Sequence, residues 1–350
     1  MSKNRLLLLF TNHRVAEKLW PVIPKLSEIY TLDLFLVGLF SDKTPWIGDI
    51  DERHLKVKEY NQYIDNVIMG PGVKFHGDNV TSQLSEYVNL DLYKAVIFDD
   101  NRAVPEFNVP NFYKECKLKN IKVIGNSHGN EDYPHNAIGT SYDYAMDFKS
   151  GGIPANDTLK NVVCSSKHIL IITNFLGLRN MSDLFPLGIT KGFDEHFFNE
   201  CGVLELSNTY KLPVKIKIKP RLDYPDYEKE VNYIKSFLPP NSKKTYNIIV
   251  NTDNIDQLIA DSAVVISAPS TLAFKPIQLG IPTVLIKETG ITGEYFDYPG
   301  LVELNKQKIF DSIQKQVNHG KYSEWIKLKI AGGNTFTSTD VYIQKIKELI

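Results

Sequence analysis

A chain of 350 residues with 43% hydrophobic and 23% charged side chains has the composition of a folded protein of two domains, neither disordered nor fibrous. Its formal net charge of -1 excludes a global basic field that would recruit nucleic acid. Three cysteines, Cys116, Cys164 and Cys201, are odd in number and show no CxxC spacing, which argues against a disulfide framework or a cysteine zinc site and predicts reduced thiols.

In chain order, the first apolar run covers 6–10. It is too short to cross a membrane and lacks a small-residue cleavage site, so it predicts a buried strand in a cytoplasmic protein with no integral membrane segment. Short apolar runs then alternate with helix-period stretches to the end. Strands are predicted at 32–37, 67–69, 95–98, 122–124 and 144–146, then at 169–172, 214–218, 247–250, 263–266 and 283–286. This alternation predicts parallel sheets covered by helices, an α/β architecture. Between the halves, 149–157 reads KSGGIPAND, with Gly and Pro and no apolar period, and predicts a linker. The expected division is an N-terminal domain at 1–155, a C-terminal domain at 156–338, and a last helix at 339–350 that packs back on the first domain. No repeat at solenoid spacing and no low-complexity segment interrupts this pattern.

Ligands of open α/β sheets bind outside the carboxyl ends of the strands, so the residues following each strand carry the functional reading. The densest signal lies in 261–286, DSAVVISAPSTLAFKPIQLGIPTVLI, which reads as strand, polar turn, helix and strand. An amphipathic helix is expected from Leu272, Phe274, Ile277 and Leu279, stopped by Gly280. Ser270 is its expected N-cap and Thr271 adds a hydroxyl, at a place where free N–H groups favour an anion. Ser267 opens the same turn. A plain capped helix is the competing reading. Thr173 and Asn174 follow the strand at 169–172. The stretch 214–221 reads VKIKIKPR, with Lys215, Lys217, Lys219 and Arg221 on one face by the period of two. Lys215 and Lys217 are expected on a solvated face, and Lys219 and Arg221 at the ligand end.

In the first half, Asn12, His13 and Arg14 follow the first strand, Asp99 and Asp100 the fourth, and Ser127, His128, Gly129 and Asn130 the fifth. His128 is the candidate general base, because an imidazole titrates near neutral pH and Gly129 permits close approach. A loop histidine held by hydrogen bonds is the ordinary alternative. His13 and Asp100 are rival bases, while Asp99 and Asp100 also suit a cap or a loop tie. Asn12, Arg14 and Asn130 are assigned to the acceptor side. There is no GxGxxG after the first strand, no GxxxxGK[ST], no HExxH and no dense His/Cys cluster. These absences disfavour a dehydrogenase, a P-loop NTPase and a protein-bound catalytic metal.

Three segments together resemble the GT-B superfamily, which includes nucleotide-sugar glycosyltransferases, UDP-N-acetylglucosamine 2-epimerases and teichoic-acid glycerophosphotransferases. They are Ser127-His128-Gly129, the strand and turn at 169–174, and Ile218-Lys219-Pro220-Arg221 together with 260–286. The resemblance implies two Rossmann-like domains with parallel sheets facing a central cleft, and a nucleotide-sugar donor, UDP-linked, held mainly by the second domain. It implies donor contacts from Thr173, Asn174, Lys219, Arg221, Ser267, Ser270 and Thr271, with His128 activating an acceptor hydroxyl and no cofactor required. The expected activity is glycosyl transfer by direct displacement, to a glycan or to a hydroxymethylated DNA base whose phosphates would meet Lys215 and Lys217. A UDP-sugar 2-epimerase and a non-catalytic sugar-nucleotide-binding protein are the alternatives. Two departures stand out. Arg221-Leu222 replaces the His-Pro pair common after Lys-Pro, and Ser267–Thr271 replaces the acidic, glycine-rich turn usual in the epimerases.

Overall fold

The computed structural model describes residues 4–11, 16–37, 56–71, 82–99, 110–127, 143–173, 189–218, 227–238, 246–249, 254–290, 292–318 and 321–350. The chain divides into two compact units, Met1–Asp157 with Lys329–Ile350, and Thr158–Leu328.

The first unit is built on six parallel strands: β1 (Arg5–Phe10), β2 (Thr31–Leu36), β3 (Asn66–Met69), β4 (Tyr93–Phe98), β5 (Lys122–Asn126) and β6 (Tyr144–Met146). Their order is β3-β2-β1-β4-β5-β6, so the sheet winds outward in both directions from β1 and β4. The run RLLLLF supplies both faces at once. Leu6, Leu8 and Phe10 join one core with Trp20, Ile23 and Leu26, and Leu7 and Leu9 join the other with Phe35, Phe98 and Phe112. That is the pattern of a central parallel strand covered on both sides.

The second unit repeats the plan with β7 (His168–Ile172), β8 (Val214–Lys217), β9 (Tyr246–Ile249), β10 (Ser262–Ser267), β11 (Thr283–Ile286) and β12 (Leu301–Val302). Its order, β12-β11-β10-β7-β8-β9, is the same doubly wound arrangement, with β7 and β10 at the centre. Every predicted strand is present, with ends within two residues of expectation. The short edge strand β12 was not anticipated.

The segment 149–157 differs from the irregular linker expected of it. Asp147 caps a turn of helix, Phe148–Gly151, through the Ser150 N–H at 2.6 Å, and 3-10 turns at Pro154–Asn161 follow. Gly152 has φ of +69°, and a Cβ there would lie 2.3 Å from the Ala331 carbonyl oxygen and 2.5 Å from Ser338 Oγ. Glycine here serves a close approach of two chain segments rather than slack. The Asp157 carboxylate accepts from the N–H groups of Ser338 and Thr339 at 3.0 and 2.6 Å, satisfying the first turn of the last helix, Ser338–Leu349. Tyr342, Ile343 and Ile346 of that helix complete the core beside β1 and β5.

Two buried polar groups sit at the amino ends of the strands, away from their carboxyl ends. In the first unit, Asp33 is 2% exposed and gathers Arg5 Nη1 at 2.7 and 2.8 Å, Asn66 Nδ2 at 2.9 Å and the Tyr93 hydroxyl at 2.6 Å. Burial, and then the bond to Asp33, push the Tyr93 phenol upward in pKa.

In the second unit, His168 is fully buried at the start of β7. Its Nε2 faces the Leu258 carbonyl at 3.1 Å and Ser262 Oγ at 3.2 Å, and its Nδ1 has no partner among the described residues. A carbonyl neighbour places the proton on Nε2, so protonation at Nδ1 would bury a donor with no acceptor. Burial, followed by the nearby Lys215, therefore lowers its pKa to about 4 from the ordinary 6.5. The unfolded chain takes up a proton near pH 6.5 and the folded chain does not until pH 4. Stability is thus complete above pH 6.5 and falls as pH drops towards 4, by about 3 kcal/mol from this group. Urea melts of wild type and His168→Phe at pH 7, 5 and 4 check this. The variant should lose about that much less between the extremes, and parallel losses would mean that the ring protonates without strain.

Candidate functional site

In each unit the strand order reverses between the two central strands, and in sheets of this kind the ligand crevice lies at the carboxyl edge of that switch point. In the second unit these strands are β7 and β10, paired Leu170 to Val265 and Ile172 to Ser267. Thr173 therefore follows one side of the crevice and the Ser267–Thr271 turn the other.

Thr173 is buried, and both its N–H and its Oγ1 bond the Lys217 carbonyl, at 3.0 and 3.3 Å. Ser267 Oγ donates to the Ala268 carbonyl at 2.8 Å. These two hydroxyls shape the strand ends. Ser270 and Thr271 are half-buried instead. Ser270 occupies the N-cap position in extended conformation, φ -159° and ψ 157°, but its side chain makes no capping bond. Its hydroxyl is left for something other than the helix.

The helix itself corrects the expectation of a regular amphipathic one. A 3-10 turn, Thr271–Ala273, leads into five α-helical residues, Phe274–Gln278. Pro276 has no N–H to give the Leu272 carbonyl, which breaks the α ladder at its first turn. Gly280 ends it at φ +73°. The dipole of so short an element is small.

The loop after β11 closes over this turn. Gly290 lies against Pro269, where an added Cβ would be 2.8 Å from the Pro269 carbonyl oxygen. The Tyr295 hydroxyl donates to the Ser270 carbonyl at 2.6 Å. Glu288 is occupied structurally, since its carboxylate accepts from Leu304 N–H at 3.1 and 3.2 Å and its carbonyl from the N–H groups of Thr190 and Lys191.

Lys217 overturns part of the predicted lysine stripe. It is 7% exposed, its ammonium donates to the Ile218 carbonyl at 2.6 Å, and burial lowers its pKa. Lys215 is half-buried. The period of two did assign them to one side of β8. At Lys217 that side is interior rather than solvated, and its register partner Ile172 belongs to the buried layer with Leu258 and Ile259. The stripe that would have met DNA phosphates is therefore absent at Lys217. Asn174, Lys219 and Arg221 lie outside the described residues.

In the first unit the crevice lies between β1 and β4, with β5 beside them. Asp99 is fully buried and accepts from Thr11 N–H at 2.8 Å and Thr11 Oγ1 at 2.9 Å. It ties the ends of β1 and β4, the structural alternative foreseen for it. Asn126 Nδ2 donates to the Phe98 carbonyl at 2.6 Å, and its Oδ1 accepts from the Tyr342 hydroxyl at 2.9 Å. The Ser127 N–H bonds the Met146 carbonyl at 2.8 Å, and the Ser127 carbonyl accepts from Lys18 Nζ at 2.6 Å. Three adjacent strands thus end in anchored residues directly before the candidate bases. Asn12, His13, Arg14, Asp100, His128 and Asn130 lie outside the described residues.

The anchors Lys18, Tyr295 and Tyr342 were not picked out from sequence. Each acts on a backbone or side-chain group far along the chain, and no local spacing announces that. Among the described residues there is no group of three or more His, Cys, Asp or Glu side chains that could hold a metal ion, and no helix long and apolar enough to cross a membrane.

No protein-family model matches the chain, and no curated protein matches it in sequence. Solved structures do match it, over the whole length of both chains. UDP-GlcNAc 2-epimerase from Methanocaldococcus jannaschii matches with a TM-score of 0.59 at 12% identity, covering 99% of this chain and 100% of that one. UDP-GlcNAc 2-epimerase from Neisseria meningitidis, solved with UDP-GlcNAc, matches at 0.57 and 13% identity, covering 98% and 100%. Anabaena Alr3699/HepE, solved with UDP, matches at 0.58 and 11%, covering 99% of each. The fold is GT-B. Two six-stranded Rossmann-like sheets, each flanked by helices, make up its two domains.

Proposed function

We propose that the chain is an enzyme acting on a UDP-sugar, with the diphosphate held at the Ser267–Thr271 turn, and that it transfers the sugar to an acceptor hydroxyl. The observation that carries this reading is the uncapped Ser270 side chain beside Thr271 at the switch point of the second sheet. The whole-chain likeness to structures solved with UDP-GlcNAc and with UDP supports it. In the proposed reaction His128 takes the proton of the acceptor hydroxyl, whose oxygen forms the new bond to the anomeric carbon. The bond from that carbon to the diphosphate oxygen breaks, and UDP leaves with the electron pair, stabilised by Lys219, Arg221 and the two hydroxyls. A glycan is the acceptor class favoured, since burial of Lys217 removes part of the feature that pointed to DNA.

A second reading, 2-epimerisation of the UDP-sugar without any acceptor, is favoured by what the matched structures from Methanocaldococcus jannaschii and Neisseria meningitidis are named for. Incubation with UDP-GlcNAc alone, followed by NMR, separates the two. The 2-epimer accumulating without acceptor selects epimerisation. UDP released only when an acceptor is supplied selects transfer. No binding and no turnover across a panel of UDP-sugars would sink both.

The donor site has its own expected result. Ser270→Ala combined with Thr271→Val, and separately Arg221→Ala, should each weaken UDP binding by about 1–3 kcal/mol, the usual worth of a charge-assisted hydrogen bond. Calorimetric titration measures it, and unchanged affinity in both variants moves the diphosphate elsewhere.

A further inference from the structure

The Ser267–Thr271 turn is held by groups distant in sequence as well as by the first N–H bond of its own short helix. Ser270 has an extended backbone and no side-chain cap, and its carbonyl accepts two donors, Ala273 N–H at 2.9 Å and the Tyr295 hydroxyl at 2.6 Å. Tyr295 is fully buried. Its ring stacks on Phe274 with centroids 4.7 Å apart and planes 28° apart, and on Trp325 at 5.8 Å and 18°. Trp325 is oriented in turn by its Nε1–H bond to Asp297 at 2.9 Å. One residue upstream of Ser270, Pro269 is pressed by Gly290, where any Cβ would meet the Pro269 carbonyl oxygen and Cδ within 2.9 Å. Both grips come from the chain that follows β11.

A fully buried phenol packed in one cluster with Phe274 and Trp325, whose rings are also 6.1 Å from each other, has one place to put its hydroxyl. It therefore sets where the Ser270 carbonyl lies, and with it the direction of the Ser270 side chain and the start of the 3-10 turn at Thr271. We propose that Tyr295 is the positioning residue of this turn, fixing the Ser270 and Thr271 hydroxyls for a diphosphate without touching it. The ligand half of this inference rests on the donor site proposed above. The hold on the turn does not.

Tyr295→Phe removes one oxygen and keeps the stacked ring, so it is the informative variant; Tyr295→Ala would also empty the aromatic cluster. Two readouts are taken on the full chain: hydrogen exchange of the amides at 268–273, Ala273 above all, and calorimetric titration with UDP. The expected result is faster exchange confined to the turn, with a UDP dissociation constant raised about 3–10-fold and a melting temperature within a few degrees of wild type. Unchanged exchange at the turn overturns the inference. So does unchanged UDP affinity in the variant where wild type binds UDP, because a merely structural tyrosine would shift melting and leave binding alone. If wild type does not bind UDP, the donor-site reading fails by itself, and the exchange data still decide whether Tyr295 sets the turn.

Discussion

Asp33→Ala is expected to cost about 3–5 kcal/mol of folding stability, the range seen when one partner is removed from a buried ion pair. Asp33 is 2% exposed and receives four contacts from three donors on other strands: two from Arg5 Nη1 at the start of β1, one from Asn66 at the start of β3 and one from Tyr93 at the start of β4. Removing it leaves the buried Tyr93 hydroxyl without that acceptor. Among the described residues, the Arg5 guanidinium then keeps its Nη2 bond to Asp65 at 2.7 Å. The pKa of Arg5 is raised chiefly by its hydrogen bond to Asp33, which is the same interaction seen from the other side. Urea denaturation at pH 7 measures the loss. The double variant Arg5→Met with Asp33→Leu should recover part of it, because an apolar pair leaves no uncompensated charge. A loss under about 1 kcal/mol for Asp33→Ala would mean that the pair behaves as a solvent-screened surface bridge.

His128→Ala is expected to lower turnover by about 10²–10⁴-fold with little change in UDP affinity, the signature of a general base that acts on the acceptor in the transition state. The rationale is the anchoring of the residues just before it. Ser127 is fixed through both its N–H and its carbonyl, and Asn126 is fixed through both ends of its amide. A loop leaving such a stem starts from a defined point and direction, which a general base requires. His13 and Asp100 follow stems tied to each other through Thr11 and Asp99, on the strands next to β5. They are the proper controls. Wild-type turnover in His128→Ala, with His13→Ala or Asp100→Asn inactive, would transfer the role to that residue. Equal loss of UDP affinity and turnover in His128→Ala would make the histidine a donor contact rather than a base.

Much of this architecture was legible before any coordinates. A central parallel strand buries both faces, so RLLLLF and SAVVIS announce themselves as apolar runs, and eleven of the twelve strands among the described residues were legible as short runs of this kind or shorter. The one missed, Leu301–Val302, is two residues on a sheet edge, too short to leave a period. The doubly wound order cannot be read from a run of strands, because it depends on which face each crossover takes. The placement of Ser270 and Thr271 beside a β10 strand end was nevertheless foreseeable from strand-turn-helix punctuation.

What the amino-acid order determined by itself was the list of elements, their alternation and the hydroxyl-bearing turn, since these arise from local periodicity and backbone preference. Tertiary structure alone decided what covers each face and what anchors each turn. The period of two put Lys215 and Lys217 on one side of β8, but only the packed fold made that side an interior at Lys217, beside Ile172. Pro276 was visible in the sequence, yet the 3-10 entry it enforces shows only once the helix is built. Tyr295 reaches Ser270 across 25 residues and Tyr342 reaches Asn126 across 216. Such bonds form because burial obliges each polar group to find a partner, wherever the fold brings one within about 3 Å.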